Sequence, residues 1–302
     1  MNPMRFLITG GTLGMGRGVA HALAIADDRR HEVVILGSSS ERGASAVREL
    51  QQVTGNSKVS FVRCDLASFR SVESAIEVLR SQPPLDGVFV NAGIGYAPRQ
   101  TMTEDGLDPH FQVNYLSQFM LVLNLLDSLK RSASGGRVIF NAARGGEIRW
   151  DDMQMTKKWG YEPAILQAFA AKRMFSSRLH ALQREAGTKL STVAFEIPKT
   201  VWSHQIEIIP WPMRAMATVM KWFGAFISIE RCGEIMAPLF AESQAESLAR
   251  SGKFISWRDG GFFEKSDDAQ ITDTAQQIKL WDESLRLIGR EETSRIAATV
   301  SA

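Results

Sequence analysis

The feature that most constrains the fold is a regular alternation of two kinds of segment between residues 4 and 199. Short apolar segments alternate with longer segments in which apolar residues recur at the spacing of a helix. The six short segments read MRFLITGG, HEVVILG, KVSFVRCDL, LDGVFVNAG, GRVIFNAARGG and LSTVAFEIPK. Strands that alternate with helices at this spacing indicate βαβ units, which form a parallel sheet with both faces covered. The sequence therefore predicts an α/β fold with one doubly wound parallel sheet flanked by helices.

A single domain, residues 1–302, is the simplest organisation. A chain of 302 residues suffices for one large domain or two small ones. We find no linker before residue 200 and no internal repeat. The pattern changes after Val201, where residues 202–228 are rich in Trp, Met, Phe and Ile. The last residues, 290–302, have the composition of a loose tail.

Composition and charge exclude several classes of function. The 35 basic and 33 acidic residues leave a net charge of +2, which gives no electrostatic footprint for nucleic acid. The sequence contains no run of about 18 apolar residues, so no membrane-spanning helix is expected. The amino terminus lacks the long apolar region of a signal peptide, and Cys64 and Cys232 are too few for a disulfide framework. We therefore expect a cytoplasmic protein without a metal site.

A glycine-rich turn follows the first predicted strand. Gly10, Gly14 and Gly16 form a TGxxxGxG pattern in TGGTLGMGRG, directly between a strand and a helix. Without side chains the backbone can turn tightly and approach a pyrophosphate, and the start of the helix offers free N–H groups. The position of this turn before repeated βα units predicts nucleotide binding by a Rossmann-type fold.

Further motifs occur in an order and spacing that resemble a known family. They are TGGTLGMG at residue 9, CDL around Asp65, NAG at 91–93, FQVNYL around Asn114, GRVIF at 136 and IPKTV at 197. Together they resemble the short-chain dehydrogenase/reductases. The segments TMTEDGLDPHFQVNYLSQF and SGKFIS…LWDESLRLIG are similar to the retinol-dehydrogenase-like branch. The resemblance covers roughly residues 4–289 and implies an oxidoreductase with a nicotinamide cofactor.

The resemblance also implies roles for individual positions. The glycines would cradle the pyrophosphate, Asp65 would meet the adenine amino group, and Lys172 would hydrogen-bond the nicotinamide ribose. Asp65 could instead cap the next helix. The implied cofactor-binding positions are Gly10, Thr12, Gly14, Met15, Gly16, Ser38, Ser39, Asp65, Leu66, Asn91, Ala92, Gly93, Lys172, Pro198 and Thr200.

The end of the second strand bears on the choice between NAD and NADP. An acid there accepts the 2′-hydroxyl of NAD, whereas hydroxyl or basic groups accommodate the 2′-phosphate of NADP. The segment LGSSSER has no acid at the positions that directly follow the strand. The hydroxyls of Ser38, Ser39 and Ser40 can donate to a phosphate, and Arg42 or Arg17 could add charge. We expect NADP(H) rather than NAD(H), although these serines could simply cap the next helix.

The catalytic signature of this family is incomplete in the chain. Family members carry Tyr-x-x-x-Lys, one helical turn apart on one face, and the tyrosine exchanges a proton while hydride moves. Lys172 is present, but the tyrosine position holds Ala168. Ala142 and Ala143 stand where the catalytic serine would follow the fifth strand. Loss of an acid lowers rates by about 10²–10⁴ and loss of an oxyanion donor by about 10²–10³, so ordinary carbonyl reduction should be crippled.

Three functions remain open. The first is reduction of a conjugated C=C bond or an activated carbonyl with a relocated acid. The second is a non-redox cyclase or isomerase that keeps the fold as a shaped chamber, as in family members recruited to specialised metabolism. The third is a non-catalytic sensor that reports NADP(H) to a partner protein.

Four residues form the predicted catalytic set. Tyr161, in the loop before the helix of Lys172, is the first candidate for a relocated acid, unless it only anchors that loop. Arg144 could polarise a carbonyl or bind a carboxylate, or it could be a solvated surface arginine. Asn114 would hold a water in the long helix or brace the backbone of the sheet. Lys172 completes the set through its grip on the ribose.

Residues 202–228 correspond to the substrate lid of the family and imply a bulky hydrophobic substrate. Their large apolar residues are Trp202, Trp211, Met213, Met216, Met220, Trp222, Phe223 and Phe226. The segment could instead cover the core, form an interface, or lie on a membrane surface with Arg214 and Lys221. Because the family commonly assembles through its two long helices, we expect a homodimer or homotetramer through residues 103–130 and 163–186.

Overall fold

A computed structural model describes residues 3–289, so the predicted tail at 290–302 lies outside the described residues. The strands are β1 (Arg5–Thr9), β2 (Glu32–Gly37), β3 (Val59–Arg63), β4 (Gly87–Val90), β5 (Arg137–Asn141), β6 (Ser191–Glu196), β7 (Thr200–Val201), β8 (Phe226–Ile227), β9 (Phe254–Arg258) and β10 (Gly261–Glu264). The six apolar segments of the sequence all contain a strand, which follows from their buried, β-branched and aromatic residues.

The helices lie between these strands. They are α1 (Gly14–Ile25), α2 (Ser40–Thr54), α3 (Phe69–Arg80), α4 (Pro109–Phe111), α5 (Ser117–Lys130), α6 (Tyr161–Glu185), α7 (Gln205–Ile208), α8 (Trp211–Trp222), α9 (Ile229–Ala241), α10 (Gln244–Arg250), α11 (Ala269–Thr272) and α12 (Thr274–Leu287). A π-helical turn at Gln112–Leu116 joins α4 to α5. Side chains that accept backbone N–H bonds start several helices, as Ser39 does for α2 and Ser68 for α3.

Eight strands form one sheet in the order β10-β9-β6-β5-β4-β1-β2-β3. All neighbouring pairs are parallel except β10, which pairs antiparallel with β9. The order reverses between β1 and β4, where Phe6 lies opposite Gly87. The predicted doubly wound α/β sheet is therefore confirmed, and its switch point lies beside the glycine turn. Ligands of such sheets bind outside the carboxyl ends of the strands at a switch point.

Helices cover both faces of the sheet. Leu7 packs into a core cluster with residues of α3, α5, α6 and α12, whereas Phe6 and Ile8 pack into a second cluster with residues of α1, α2 and α9. This division follows from the two-residue period of a strand, which sends successive side chains to opposite faces. The central strands β1, β2, β4 and β5 are buried on both faces, which explains why they read as continuous apolar runs rather than as alternating ones.

The sequence predicts a short strand in SGKFIS, which is the first strand of a hairpin at the sheet edge, but not the turn and the second strand of that hairpin. β9 and β10 are joined at Asp259 and Gly260, whose φ angles of 52° and 84° are both positive. Two positive φ angles are typical of a type I′ turn, for which Asp-Gly is a strong signal. The signal was therefore present in WRDGGFFE. An Asp-Gly pair predicts a hairpin strongly only when alternating apolar and polar residues flank it, and here they do not.

Helix α12 covers the faces that the predicted assembly would use. Trp281 meets Phe119 of α5 and Phe175 of α6 with ring centroids 5.2 and 5.9 Å apart. The Tyr115 hydroxyl, in the π-helical turn, lies 2.6 Å from the Ser284 hydroxyl. The chain thus buries much of its two long helices against itself, and a homodimer or homotetramer through them stays a prediction.

Candidate functional site

The glycine turn links the end of β1 to the start of α1. Gly10 has a φ of 66°, a conformation that favours glycine, and a Cβ on it would lie 3.0 Å from the Ala92 Cα. A Cβ on Gly16 would lie 2.4 Å from the carbonyl oxygen of Gly10. Gly14, with a φ of 56°, would carry its Cβ into ordinary contact with Ser203, at 3.5 Å. Gly10 and Gly16 are thus required because neighbouring atoms leave no room for a side chain. Gly14 leaves open space at the start of α1.

The first turn of α1 leaves its backbone N–H groups available. Leu13 precedes the helix in an extended conformation and provides no side-chain cap, and the first turn contains no acidic residue. A Cβ on Gly37 of β2 would lie 2.9 Å from the Thr12 side chain, and Met15 packs partly buried against the core. Uncapped N–H groups at the positive end of a helix dipole bind anions such as a pyrophosphate.

A hydrogen-bonded network beneath the turn ties three strand ends together. The Thr9 hydroxyl accepts hydrogen bonds from the backbone N–H groups of Asn91 and Ala92, at 2.8 and 3.0 Å. The Asn91 side chain donates to the Thr9 carbonyl, at 3.0 Å, and accepts from Asn141 at 3.2 Å. Gln118 donates to the Ala92 carbonyl at 2.8 Å. These bonds fix the cradle before any ligand arrives.

Three members of that network were missed by sequence reasoning. Thr9, Gln118 and Asn141 are polar residues at a strand end or inside an apolar helix. Their positions are the available signal, because a buried polar side chain needs a partner.

Asn114 and Gly93 meet at the end of β4. The Asn114 side chain accepts a hydrogen bond from the Ile94 N–H at 2.7 Å and donates to the Ile94 carbonyl at 3.1 Å. A Cβ on Gly93 would lie 3.1 Å from the same amide oxygen. Asn114 is 2% exposed and braces the loop after β4, a contact that is compatible with both of its predicted roles.

The adenosine end of the predicted site lies at the ends of β2 and β3. The Asp65 carboxylate accepts a hydrogen bond from the Ala67 N–H at 3.0 Å. Ser68, not Asp65, caps α3. Leu66 beside it is buried. The Asp65 carboxylate is therefore held in place by a local turn and does not cap α3.

The serines after β2 divide between two roles. Ser39 caps α2 by accepting a hydrogen bond from the Arg42 N–H at 3.2 Å, as the structural alternative predicted. Ser38 is exposed, and its carbonyl accepts a hydrogen bond from the Arg63 guanidinium at 3.2 Å. Arg63 ends β3 opposite Gly37 and brings a positive charge that the sequence analysis did not consider. Arg63 lies at this position because β2 and β3 pair in parallel, with Gly37 opposite Arg63.

Arg17, in contrast, is engaged elsewhere. Its guanidinium forms an ion pair with Glu49 of α2, at 2.8 Å. Much of its charge is thereby balanced within the chain. Arg63 and Arg42 are the basic residues that lie closest in sequence and register to the end of β2.

Lys172 lies deep in α6. It is 2% exposed, and its Nζ atom lies 6.0 Å from the centre of the Phe169 ring. Burial lowers the pKa of Lys172 to about 7, and no charged partner within residues 3–289 counters that effect. Uncompensated burial of an ammonium is unfavourable. A buried cation that fulfils no structural pairing is a candidate for a functional role.

The alanines that the sequence predicts at the positions of the usual catalytic hydroxyls are buried or half-buried. Ala168 is fully buried in the larger core cluster, one turn before Lys172. Ala142 is 3% exposed and packs with Ala194 and Phe254, and Ala143 is half-buried. Around Lys172, therefore, the positions that would offer a proton in the family offer only methyl groups.

Tyr161 is the first residue of α6, rather than a residue of the preceding loop. Its ring packs edge-on against Tyr96, with centroids 5.1 Å apart. Eleven residues of helix separate it from Lys172, a rise of about 16 Å along the axis. Side chains on a helix lean toward its amino terminus. The helix therefore does not bring the Tyr161 hydroxyl to the Lys172 ammonium.

Arg144 is exposed in the segment that follows β5. Burial lowers the pKa of Arg173, and the charge of Arg144 acts in the same direction while Asp268 and Glu196 oppose it. Arg173 itself is paired with Asp267 and stacks over the Phe254 ring at 4.0 Å. Arg144 thus lies beside a structural ion-pair cluster at the carboxyl edge of the sheet.

The segment after β6 passes the glycine turn. Pro198 and Thr200 are exposed, and Thr200 pairs with Phe226 in the two-stranded sheet of β7 and β8. Ser203 is the residue nearest to the space above Gly14. The segment that carries Pro198 and Thr200 therefore leads directly to Ser203, beside the start of α1.

These residues fit a dinucleotide. The cradle at Gly10 and Gly16 admits no side chain, the N–H groups that open α1 have no side-chain cap, and Lys172 offers a buried ammonium without a charged partner in the described chain. Each of these features suits a pyrophosphate or ribose, which supplies many acceptor oxygens.

Comparison with known proteins adds sequence relatives. A family model described as short chain dehydrogenase matches residues 5–155. Polyprenol dehydrogenase from Homo sapiens is 30% identical over 223 residues, which cover 72% of this chain and 66% of that protein. Retinol dehydrogenase 11 from Mus musculus is 30% identical over 299 residues, which cover 94% of this chain and 85% of that protein.

Solved structures with a similar fold cover nearly the whole chain. A protein of unknown role from Mycobacterium paratuberculosis has a TM-score of 0.69 and 21% identity and covers 95% of each chain. The NADP complex of RhlG from Pseudomonas aeruginosa has a TM-score of 0.64 and 22% identity and covers 85% of this chain and 95% of that one. At these identities the similarity concerns the fold.

Proposed function

Because the chain belongs to the short-chain dehydrogenase family, we propose that it is an NADP(H)-dependent reductase of a bulky apolar compound whose reducible bond is activated by conjugation. Family membership makes it an oxidoreductase with a nicotinamide cofactor. The observation that carries the proposal is the combination of a glycine turn that admits no side chain at Gly10 and Gly16 with a buried Lys172 that has no charged partner among residues 3–289.

The chain's own residues would hold the cofactor along the carboxyl edge of the sheet. Gly10, Gly14 and Gly16 would cradle the pyrophosphate against the start of α1. Asp65 and Leu66 would receive the adenine, Asn91 to Gly93 the adenosine ribose, and Pro198 and Thr200 would close over the turn. Lys172 would donate hydrogen bonds to the nicotinamide ribose. When bound, the nicotinamide would supply a hydride to the substrate.

Preference for the phosphorylated cofactor rests on charge at the end of β2. The Arg63 guanidinium lies against the Ser38 carbonyl, and the exposed Ser38 hydroxyl stands beside it. Arginine is well suited to phosphate because its planar N–H groups can donate in pairs. An acid that would repel a 2′-phosphate is absent from the positions that directly follow the strand.

Lys172 is the proposed proton donor. A reduced double bond takes up one proton for each hydride, and the alanines at 142, 143 and 168 have none to give. An ammonium whose pKa lies near 7 is partly protonated at neutral pH and acidic enough to release a proton. After transfer, the neutral amine would be reprotonated from solvent.

Two observations support an apolar substrate, namely the apolar side chains around the site and the names of the relatives. The catalytic end is built from methyl groups and aromatic rings. Polyprenol dehydrogenase and retinol dehydrogenases are among the relatives, and both names refer to long apolar alcohols. Without an oxyanion donor at position 143, a bond already polarised by conjugation is the favourable acceptor.

The enclosed alanines are also compatible with the alternative that the sequence leaves open, a non-redox cyclase or isomerase. Removing proton donors suppresses unwanted reduction while the fold still encloses an apolar substrate. In that case the dinucleotide would be structural. A sensor of NADP(H) without turnover is the remaining alternative from the sequence.

One experiment separates these functions. The protein is incubated with NADPH that carries deuterium at the transferable position, and with a C15 isoprenoid enal as the probe, while a saturated alkyl ketone is the matched control. A reductase consumes NADPH, converts the enal to a saturated aldehyde or an allylic alcohol that carries one deuterium, and leaves the ketone nearly unchanged. Product without consumption of NADPH would support the non-redox function, and bound NADPH without any product would support the sensor.

A further inference from the structure

Helix α8 turns its apolar side away from the protein. Trp211 is 74% exposed, Trp222 is 82% exposed and Phe223, just after the helix, is 86% exposed. The other exposed apolar side chains of the same surface are Ile208, Met213, Met216, Val219 and Met220. We call these eight residues the α8 surface. A surface helix normally presents such residues to the core.

The single buried residue of α8 fixes its orientation. Ala217 is 7% exposed, so its direction marks the side that faces the protein. At 100° per residue, Val219 points about 160° and Trp222 about 140° away from Ala217. The polar residues Arg214 and Lys221 lie within about 60° of Ala217. The outward side of α8 therefore carries Trp211, Met216, Val219 and Trp222, whereas Met213 and Met220 lie within about 60° of Ala217, on the same side as the two basic residues.

Contacts with the body of the protein hold the helix in this orientation. The Lys221 ammonium lies 4.0 Å from the centre of the Trp202 ring. The Lys199 ammonium donates a hydrogen bond to the Gly224 carbonyl at 2.6 Å. A cation over an indole ring is a favourable contact. The end of α8 is thus tied down by basic side chains while its apolar residues stay outside.

Charge at this surface is positive. Lys199, Arg214 and Lys221 outnumber Glu207 among the charged residues from 199 to 224. Exposed Trp and Phe beside Lys and Arg are the composition of helices that lie in the plane of a membrane surface. Trp prefers the headgroup level, where its ring is buried and its N–H stays solvated.

We propose that the α8 surface binds the headgroup and upper acyl region of an anionic lipid bilayer. The helix lies parallel to the membrane, with Trp211, Trp222 and Phe223 inserted and the basic residues at the level of the lipid phosphates. A lid closed over substrate would point these side chains inward, and a core helix would bury more than Ala217. The proposal stands on the surface itself and does not depend on the reaction.

Flotation with vesicles tests this inference. The full chain is mixed with vesicles of phosphatidylcholine alone, or with about 30% phosphatidylserine, because anionic lipid attracts basic side chains. We expect the chain to float with the mixed vesicles. The double variant Trp222→Glu, Phe223→Glu should lower the bound fraction by about tenfold or more, since charges on the apolar face prevent insertion.

Two controls keep the result specific. Val53→Glu changes an equally exposed apolar residue, at 70%, on helix α2 and should leave binding unchanged. Arg214→Glu should weaken binding to the mixed vesicles more than binding to phosphatidylcholine, because it removes only the charge component. Thermal unfolding of each variant checks that the fold is retained.

Three outcomes would overturn the proposal. They are the absence of binding to either vesicle, binding that survives Trp222→Glu, Phe223→Glu, and binding that Val53→Glu abolishes equally. A mass that doubles with concentration, and returns to that of one chain in the Trp222→Glu, Phe223→Glu variant, would assign the α8 surface to a second copy. None of these readings uses NADPH or turnover, so failure here leaves the proposed function untouched.

Discussion

The nucleotide end and the catalytic end of the site treat their polar groups in opposite ways. At the nucleotide end, Thr9, Asn91 and Gln118 each donate or accept hydrogen bonds that hold the glycine turn. At the catalytic end, the hydroxyl positions have become methyl groups, and Lys172 is buried without a charged partner in the described chain. The residues proposed to hold the cofactor thus keep a hydrogen-bonded network, whereas the alanine side chains of the catalytic end can form none, so cofactor binding and proton transfer can be tested separately.

The largest expected effect concerns Lys172. Lys172→Met removes the proposed proton donor and should lower the rate of reduction by about 10²–10⁴-fold. In the unchanged protein, the rate should fall as pH rises through about 7, because the protonated ammonium is the donor. Lys172→Arg keeps a charge that does not titrate in this range, so it should retain NADPH binding and lose this pH dependence. An unchanged pH profile in Lys172→Arg would contradict the role.

The stability of the ligand-free protein offers an independent measurement on the same residue. The pKa of Lys172 is about 7 in the folded state and 10.5 as an ordinary lysine, so the folded state binds fewer protons between these values. Stability should therefore rise with pH through this window. Relative to the unchanged protein, Lys172→Met should be more stable by a few kcal/mol at pH 7, and the gap should close toward pH 10.5. A gap independent of pH would mean that burial does not depress this pKa.

The next prediction concerns the glycine cradle. Gly14→Asp places a carboxylate where a pyrophosphate would lie and should weaken NADPH binding by about 100-fold, because the two anions repel. Gly14→Ala shares the strain of the 56° φ angle without the charge. Calorimetric titration of both variants isolates the electrostatic part. Equal losses in the two variants would mean that the turn is only a structural element.

Restoring the family's tyrosine should destabilise the protein. Ala168 is fully buried, so Ala168→Tyr with Ala143→Ser must displace core neighbours, at a cost of about 1–3 kcal/mol. We expect no gain in reduction of simple ketones. Ala168→Met has similar volume without a hydroxyl and is the matched control in chemical unfolding. Strong ketone reduction by the tyrosine variant alone would show that only the proton donor had been lost.

The fold was more predictable than the site, for a physical reason. Parallel strands buried on both faces leave continuous apolar runs, and the glycine turn has a backbone requirement that few other residues meet. The hydrogen bonds of Thr9 and Asn141, the position of Arg63 opposite Gly37 and the outward face of α8 depend on which elements become neighbours. That information lies in the sheet order and register, not in local patterns.

A smaller effect is expected for cofactor choice. Arg63→Ala should weaken NADPH binding by about tenfold, because the variant loses one charge-assisted hydrogen bond to the 2′-phosphate. NADH binding should stay unchanged. Arg17→Ala is the matched control because Arg17 is already paired with Glu49. Titrations with both cofactors give the comparison. If Arg63→Ala weakened NADPH and NADH equally, Arg63 would serve only to hold the Ser38 carbonyl.

The smallest effect should come from Tyr161, and it bears directly on the contrast between the two ends. Tyr161 is the first residue of α6, and Lys172 lies eleven residues later in the same helix. The Tyr161 ring packs against Tyr96. Tyr161→Phe keeps the ring and removes the hydroxyl, so the rate should change by less than about twofold, whereas loss of a general acid costs about 10²-fold or more. Tyr96→Phe, measured under the same conditions, controls for disturbance of the ring pair. A 100-fold loss confined to Tyr161→Phe would mean that the proton comes from the start of α6 and that Lys172 only grips the ribose. The general acid would then be Tyr161, at the start of α6, rather than Lys172.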